Sequence, residues 1–173
     1  MCSECSPFIE PNSQILDFGC GSGTIGKEFA EHFKSKILGI DIIDNRVTDM
    51  PFQQYDGKDI SFLPNDFYDT VLINYVLHHT PDPINTLKGA GMKSKKRIII
   101  YENLSEGIVS KFLCKIHGVS FGIIFQKNFE PGKFFTRNEW EKIFKDLNLR
   151  VIYAKTISGF NPMKNTLFVL EKI

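Results

Sequence analysis

A short apolar run that ends in three alternating glycines is the feature that most constrains the fold of this chain. Ile15-Leu16-Asp17-Phe18 has the composition of a buried strand, and Gly19, Gly21 and Gly23 follow it. Alternating glycines let the backbone turn tightly from a strand into a helix and let a ligand approach the main chain. A helical pattern over residues 24–33 comes next, so the sequence predicts a strand–loop–helix unit of an α/β fold.

Apolar runs and amphipathic stretches alternate along the rest of the chain. Further buried strands are predicted from apolar, β-branched runs at residues 36–41, 70–74 and 97–101. One helix is predicted to run from Asp82-Pro83 to an end near Gly89 or Gly91. Another is predicted to begin at Thr136, where Glu139 completes a capping box. The chain closes with two strand-like runs that predict an antiparallel hairpin, over residues 149–156 and 166–171. This alternation predicts a mainly parallel sheet, whose ligands bind beyond the carboxyl ends of its strands.

The composition is that of an ordinary globular protein. The chain has 173 residues, 42% of them hydrophobic, and no repeat or linker divides it, so we expect one domain over residues 1–173. The net charge of +1 leads us to expect no nucleic-acid partner. Because no secretory signal and no apolar run of about 18 residues is present, we expect a cytoplasmic protein. Cys2-x-x-Cys5 is half of a zinc site, and we expect a disordered terminus there.

Charge distinguishes between two cofactors that the glycine loop could hold. Gly21, Gly23 and Gly26 match the G-x-G-x-x-G pattern of dinucleotide sites, which is a weak signal by itself. A dinucleotide places its negative pyrophosphate against such a loop, where the carboxylate of Asp17 would repel it. S-adenosylmethionine instead carries an ammonium and a sulfonium, which a carboxylate attracts. Asp17 therefore favours S-adenosylmethionine.

Two further acidic positions follow the loop. Asp41 ends the second predicted strand, 22 positions after Gly19. A carboxylate about 20 residues past such a loop can accept hydrogen bonds from the ribose of either cofactor. A turn or helix-capping aspartate is the alternative interpretation. Asp56-Gly57 lies where the third strand should end, and a carboxylate there could bind an adenine amino group, although Asp-Gly is also a common turn sequence.

Three segments resemble the class I S-adenosylmethionine-dependent methyltransferases. Residues 15–23 resemble the first motif of that family, and residues 68–79, YDTVLINYVLHH, resemble the fourth-strand segment of its quinone-biosynthesis-type, methyltransferase type 11-like subgroup. Residues 134–140 resemble the start of that subgroup's late helix. The resemblance covers about residues 13–172. It implies a Rossmann-like sheet of seven strands in the spatial order 3-2-1-4-5-7-6, with the last strand antiparallel and helices on both sides.

The resemblance also implies a set of cofactor-binding residues: Asp17, Gly19, Cys20, Gly21, Gly23, Asp41, Ile42, Asp56, Gly57, Asn74 and Tyr75. Asp17 and the backbone of the glycine loop would hold the methionine portion, which Asn74 and Tyr75 would cover near the methyl donor. Asp41 would hold the ribose, and Asp56 would bind the adenine amino group beside Ile42. Many relatives carry an N-terminal helical segment that is short here, so the site is expected to be more open or completed by another chain.

Methyl transfer is an in-line displacement, so aligning donor and acceptor is the main task of the protein. An acceptor that must lose a proton also needs a base, and His78 and His79, just after the fourth strand, are the catalytic candidates. Packing or solvation is the alternative interpretation of this pair. No acidic triad for a metal-assisted mechanism is present, and we expect no metal site.

Residues 104–133 form a long apolar connection, in which Ile108, Phe112 and Ile116 share a helical face. Core packing, a lid over a hydrophobic substrate, and contact with a membrane surface or partner protein through residues 104–126 remain open. The sequence therefore predicts methyl transfer from S-adenosylmethionine, leaving S-adenosylhomocysteine, to a small, apolar or aromatic molecule. The alternatives are a non-catalytic or partner-dependent subunit that docks another protein, and an NAD-dependent oxidoreductase.

Overall fold

The structure is a computed structural model, and it describes residues 1–108, 110–114, 116, 132–157 and 164–173. Its strands are β1 (Gln14–Phe18), β2 (Lys36–Asp41), β3 (Phe52–Gln54), β4 (Tyr68–Asn74), β5 (Ser94–Leu104), β6 (Leu149–Ile157) and β7 (Lys164–Lys172). The helices used below are α1 (Cys2–Cys5), α2 (Thr24–Phe33), α3 (Pro83–Lys93) and α4 (Arg137–Asp146). A turn of 3₁₀-helix covers Leu77–His79. No helix of these described ranges is long and apolar enough to cross a membrane.

The seven strands form one mixed sheet in the order β3-β2-β1-β4-β5-β7-β6, which confirms the predicted topology. β1 is parallel to both of its neighbours, with Phe18 opposite Ile40 of β2 and Ile73 of β4. β2 is also parallel to β3, with Asp41 opposite Gln54. The carboxyl ends of β1 to β4 therefore lie at the same edge of the sheet, where the sequence predicted the chemistry.

The final pair of strands is antiparallel. The side chains of Thr156 and Thr166 are hydrogen bonded at 3.1 Å, Arg150 pairs with Glu171, and the amide of Ile173 donates to the carbonyl of Asn148 at 3.1 Å. As the residue number rises along β6 it falls along β7, which is the pattern of an antiparallel pair. The turn residues 158–163 lie outside the described residues.

The chain divides into two compact units. The first comprises residues 1–74, 89–99 and 172. Its core is the two-faced sheet of β1, β2 and β4, where Ile15, Leu16, Ile40 and Leu72 are fully buried. Burial on both faces explains why these strands have continuous apolar runs rather than an alternating pattern.

Helix α3 extends further than the sequence predicted. Its end was expected near Gly89 or Gly91, but the helix continues to Lys93. The ammonium of Lys93 is buried, and it donates to the carbonyl of Leu63 and to the side chain of Asn65, each at 2.8 Å. These hydrogen bonds stabilise the buried ammonium of Lys93. Tertiary contacts, rather than the glycines at positions 89 and 91, therefore decide where the helix ends.

The second unit comprises residues 75–88, 100–171 and 173. Helix α4 begins at the predicted capping box, in which the Thr136 hydroxyl accepts the amide of Glu139 and the Thr136 amide donates to the Glu139 carboxylate. The apolar face of α4 is buried: Trp140 stacks on Phe144, and Phe144 meets Phe168 of β7 edge to face. This aromatic layer holds the helix on the sheet.

The N-terminus differs from the sequence expectation. Residues 2–5 form α1, and the side chains of Cys2 and Cys5 are both buried, so the predicted disordered terminus is wrong. The spacing of three places both thiols on one helical face, which packs against α2. Ser6 extends this contact through a 3.3 Å hydrogen bond to His32. Two small apolar side chains are thus enough to anchor the segment.

The long connection after β5 is described only in part. Residues 110–114 are helical, and the predicted shared face is exposed: Ile108, Phe112 and Ile116 are 89%, 64% and 48% accessible. The opposite side is buried, with the Ser110 hydroxyl donating to the carbonyl of Leu104 at 2.6 Å. These three side chains therefore do not pack in the core. The remaining apolar positions of the connection, residues 117–131, lie outside the described residues.

Candidate functional site

The glycine loop turns sharply between β1 and α2. Gly19, Gly21 and Gly23 all have left-handed backbone conformations, with φ of 71°, 52° and 73°. The amides of Gly19 and Cys20 both donate to the carbonyl of Ile40 on β2, at 2.8 and 3.0 Å. Side chains strongly disfavour these φ values, which explains why the sequence alternates glycine here.

Asp41 ends β2 beside this loop. One carboxylate oxygen accepts the amide of Gly21 at 2.8 Å, and the other accepts the amide of Ile42 at 2.7 Å. A carboxylate has about four acceptor positions, so the side chain is oriented by two backbone donors and retains capacity for two more hydrogen bonds. That capacity matches the paired hydroxyls of a ribose.

Asp17 and Asn74 lie on adjacent strands, and their polar atoms are buried. Asp17 is 1% accessible, and neither its oxygens nor the amide atoms of Asn74 make a hydrogen bond of standard geometry among the described residues. Burial raises the pKa of Asp17 to about 7, the negative charge of Asp41 adds to this, and the Asn74 side chain opposes it. A buried carboxylate without a donor is costly, and a cationic ligand would satisfy it.

Helix α2 approaches Asp17 at a glycine. A Cβ atom on Gly26 would lie 2.5 Å from Oδ2 of Asp17 and 2.6 Å from the sulfur of Met50. No side chain fits between the helix and the carboxylate, so Gly26 permits the close packing of α2 on β1. The match to a dinucleotide pattern at this position thus has a packing explanation.

The adenine end of the predicted site lies beyond β2 and β3. Ile42 is 46% exposed, and a Cβ on Gly57 (φ 81°) would lie 3.1 Å from the Ile42 methyl group, so the two positions are neighbours. Asp56 is exposed, and its pKa is lowered because one of its oxygens accepts the amides of Asp59 and Lys58. This carboxylate caps a local turn and is exposed to solvent.

Tyr55 is a residue of this region that the sequence reasoning missed. Its ring packs edge to face on Phe18 with the centroids 5.9 Å apart. Burial raises the pKa of Tyr55 to about 12, with Asp41 and Asp56 adding to the effect. Its place directly after β3, at the carboxyl edge of the sheet, is the signal that could have identified it.

Cys20 is buried within the loop. Burial raises the pKa of its thiol to about 12, with the nearby carboxylates of Asp17 and Asp41 contributing. A thiol of this kind is chemically inert, so Cys20 contributes its backbone and its small volume rather than a nucleophile. No group of three His, Cys, Asp or Glu side chains is placed to hold a metal ion in the part of the chain that the structure describes.

The second unit contains the other predicted residues. Tyr75 has a left-handed conformation (φ 59°), and burial followed by the charge of Glu102 raises the pKa of its hydroxyl. His78 is fully buried, with Nδ1 2.8 Å from Oε2 of Glu102, whereas His79 is partly exposed and its ring contacts that of His78. Glu102 was not predicted, although it follows the apolar run of β5 near the carboxyl edge of the sheet.

The first unit brings together Asp17, the glycine loop, Asp41, Ile42, Gly57 and Asn74, with Asp56 nearby in sequence and exposed. These groups fit S-adenosylmethionine in kind. A buried carboxylate with no hydrogen bond of standard geometry among the described residues suits its ammonium. An oriented carboxylate with spare acceptor capacity suits its ribose, and an exposed aliphatic side chain suits its adenine. The negative charge of Asp41, and that of Asp17 in its ionised form, disfavours a pyrophosphate at the same loop.

Comparison with known proteins agrees with this chemistry. Residues 2–154 match a family model described as a methyltransferase domain. No curated protein sequence matches the chain. Among solved structures, a S-adenosylmethionine-dependent methyltransferase from Methanosarcina mazei is similar over 100% of this chain and 98% of its own, with a TM-score of 0.78 and 16% identity.

Two other structures share the fold. A methyltransferase of Haloferax volcanii, in complex with the Trm112 methyltransferase activator, is similar over 95% of this chain and 84% of its own (TM-score 0.75, 18% identity). Magnesium protoporphyrin IX methyltransferase from Synechocystis, with S-adenosylhomocysteine bound, is similar over 94% of this chain and 75% of its own (TM-score 0.69, 18% identity). The chain belongs to the class I S-adenosylmethionine-dependent methyltransferases, and S-adenosylmethionine is its cofactor.

Proposed function

We propose that this enzyme transfers the methyl group of S-adenosylmethionine to a small, apolar or aromatic molecule in the cytoplasm. The observation that carries the cofactor half of this proposal is Asp17, a buried carboxylate at the end of β1 that makes no hydrogen bond of standard geometry among the described residues. The ammonium of the methionine portion would supply the missing donors. The acceptor half is supported by the exposed apolar face of Ile108, Phe112 and Ile116.

Further cofactor contacts are proposed for the other predicted residues, and the geometry of the first unit supports most of them. The backbone of Gly19, Cys20, Gly21 and Gly23 would hold the methionine portion, because glycines let a ligand approach the main chain closely. Asp41 would accept the ribose hydroxyls, since its two backbone donors already orient it. Ile42, Asp56 and Gly57 would line the adenine, and Asn74 and Tyr75 would cover the methionine portion.

The bound cofactor supplies an activated methyl group on a positively charged sulfur. The residues of this chain would contribute orientation and desolvation rather than covalent chemistry. A base is needed only where the acceptor loses a proton, and His78 and His79 remain the predicted candidates. His79 is the more accessible of the two, because His78 has no exposed surface.

Substrate choice is assigned to the connection over residues 104–133. We propose that it forms a lid or wall over an apolar acceptor. The exposed side chains of its helical part support this, since an exposed apolar face is available to a ligand. The structurally similar Synechocystis enzyme acts on magnesium protoporphyrin IX, a large aromatic molecule, so the fold accommodates acceptors of this class.

A partner-dependent subunit is the second candidate. The similar Haloferax methyltransferase is in a complex with an activator protein, and the same exposed face could serve a partner protein or a membrane surface in this chain. Under this alternative the cofactor residues would be retained, but the isolated chain would transfer no methyl group.

Calorimetric titration of the purified chain with S-adenosylmethionine and S-adenosylhomocysteine, beside NADH, tests the cofactor assignment. We expect micromolar binding of the first two only. Transfer of a radiolabelled methyl group to a panel of phenols, apolar amines and tetrapyrroles then tests the acceptor class. A chain that binds the cofactor, methylates none of them and gains activity with a protein partner would favour the second candidate, and sizing chromatography would give its oligomeric state.

A further inference from the structure

Tyr75 leaves the end of β4 in an unusual backbone conformation. Its φ of 59° lies in the left-handed region, which is costly for a large side chain and persists only where the surrounding structure enforces it. One restraint is visible in the backbone, because the amide of Tyr75 donates to the carbonyl of Tyr101 on β5 at 2.8 Å.

A second restraint joins the same two segments three residues later. The imidazole Nδ1 of His78 lies 2.8 Å from Oε2 and 3.1 Å from Oε1 of Glu102, which follows Tyr101 on β5. The side chains of His78 and Glu102 are 0% and 1% accessible, so this contact is shielded from water. A charge-assisted hydrogen bond of this kind is strong in a buried setting.

The surroundings of His78 are those of a fixed ring. Phe134 stacks on the imidazole with centroids 4.7 Å apart and planes 25° apart, and the amide of Lys133 donates to the His78 carbonyl at 3.0 Å. A ring with no exposed surface, held on one side by a carboxylate and on another by a phenyl group, fits a positioning role better than direct contact with an acceptor.

We propose that His78 and Glu102 form a buried clamp that holds Tyr75 in its left-handed conformation. The clamp would fix the direction in which the chain leaves Asn74, and thereby the placement of two residues assigned to the methionine portion. His78 and Glu102 would act as positioning residues, with the Tyr75–Tyr101 hydrogen bond as the element they protect. The link to cofactor binding rests on the proposed function, whereas the clamp itself does not.

Hydrogen exchange of the Tyr75 amide tests the clamp without any ligand. Glu102→Leu removes the acceptor at similar volume, and we expect it to speed exchange of this amide about tenfold or more relative to the Trp140 amide of α4. Glu102→Gln retains an acceptor and should speed the exchange of the Tyr75 amide less.

Glu141→Gln, at an exposed carboxylate of α4, is the matched control for these exchange measurements. His78→Phe keeps a stacking ring without the donor and serves as a second variant should Glu102→Leu fail to fold. Unchanged exchange of the Tyr75 amide in the folded variants would overturn the clamp.

Cofactor affinity distinguishes a role in positioning Tyr75 from a purely structural role. We expect Glu102→Leu to weaken S-adenosylhomocysteine binding about tenfold, and to weaken it less than about threefold when Tyr75→Gly is also present, because glycine adopts the left-handed conformation unaided. An equal loss with and without Tyr75→Gly would overturn the link between clamp and cofactor. If the unaltered chain binds neither S-adenosylmethionine nor S-adenosylhomocysteine, the proposed function fails, and the exchange experiment decides the clamp alone.

Discussion

The carboxylate of Asp41 accepts the backbone amide of Gly21 at 2.8 Å, so the acidic end of β2 and the glycine loop after β1 form one hydrogen-bonded unit. The amide of Ile42 holds the second oxygen at 2.7 Å. The two amides orient the Asp41 carboxylate for a ligand, and the same carboxylate fixes the loop that approaches that ligand. Loss of Asp41 would therefore affect two parts of the site together.

Asp41→Ala is expected to weaken S-adenosylhomocysteine binding by about 1–3 kcal/mol, the range for hydrogen bonds that involve a charged group. The variant removes the acceptor for the ribose and releases the amide of Gly21. Isothermal titration calorimetry measures the change. Asp49→Ala is the matched control, because Asp49 pairs with Lys27 and its side chain is 86% accessible. An affinity that is unchanged in Asp41→Ala would show that the ribose assignment is wrong.

The stability of the ligand-free protein should fall as the pH rises towards 7, because of Asp17. Its pKa is raised from 3.8 to about 7, so the folded state binds a proton that the unfolded state releases between these values. The stabilising contribution is present below pH 4 and is lost as the pH rises through about 7. At about 1.4 kcal/mol per pKa unit, the full difference is on the order of 4 kcal/mol.

Urea denaturation at pH 5.5 and pH 8 checks this contribution. Asp17→Asn keeps the shape of the side chain without its charge, so it should flatten the pH dependence and raise stability at pH 8 relative to the unaltered chain. Asp49→Asn should change neither, because the pKa of Asp49 is lowered by Lys27 and the group does not titrate in this range. A pH dependence that persists unchanged in Asp17→Asn would exclude Asp17 as its source.

Cofactor binding should show the opposite trend. The ammonium of S-adenosylmethionine needs the ionised form of Asp17, which is the minor form below pH 7 in the free protein. We expect affinity to rise about tenfold between pH 5.5 and pH 7, with release of a proton on binding. Calorimetry in buffers of different ionisation enthalpy counts that proton. Asp17→Asn should bind weakly at both pH values, and strong binding by this variant would contradict the assignment.

Gly26→Ala should destabilise the fold although alanine favours helices. The added methyl group would lie 2.5 Å from Oδ2 of Asp17, so helix or carboxylate must move, at a cost of about 1–3 kcal/mol. Urea denaturation and calorimetry should show losses of stability and of cofactor affinity together. Gly91→Ala in α3 is the control, because its Cβ would lie 3.3 Å from a side-chain methyl of Ile98, which needs to shift far less than Asp17 does. We expect a smaller loss of stability there.

The glycine loop and the capping box were readable from the sequence because both depend on local patterns. Alternating glycines at positions 19, 21 and 23 require left-handed backbone, and the structure has it there. The capping box of Thr136 and Glu139 is complete within four residues, and it formed as predicted. The resemblance to a known family added the order of strands, which spacing alone does not specify.

Tertiary structure decided what depends on residues far apart in the chain. Glu102 meets His78 across 24 positions, and only the placement of β5 beside the turn after β4 makes them partners. Burial cannot be predicted from the local sequence either. Cys2 and Cys5 are buried because α2 packs against them, whereas Ile108 is exposed although it is an apolar residue. The sequence determined which backbone conformations and charges were available, and the packing of distant segments determined which of those charges were buried, paired or open to a ligand.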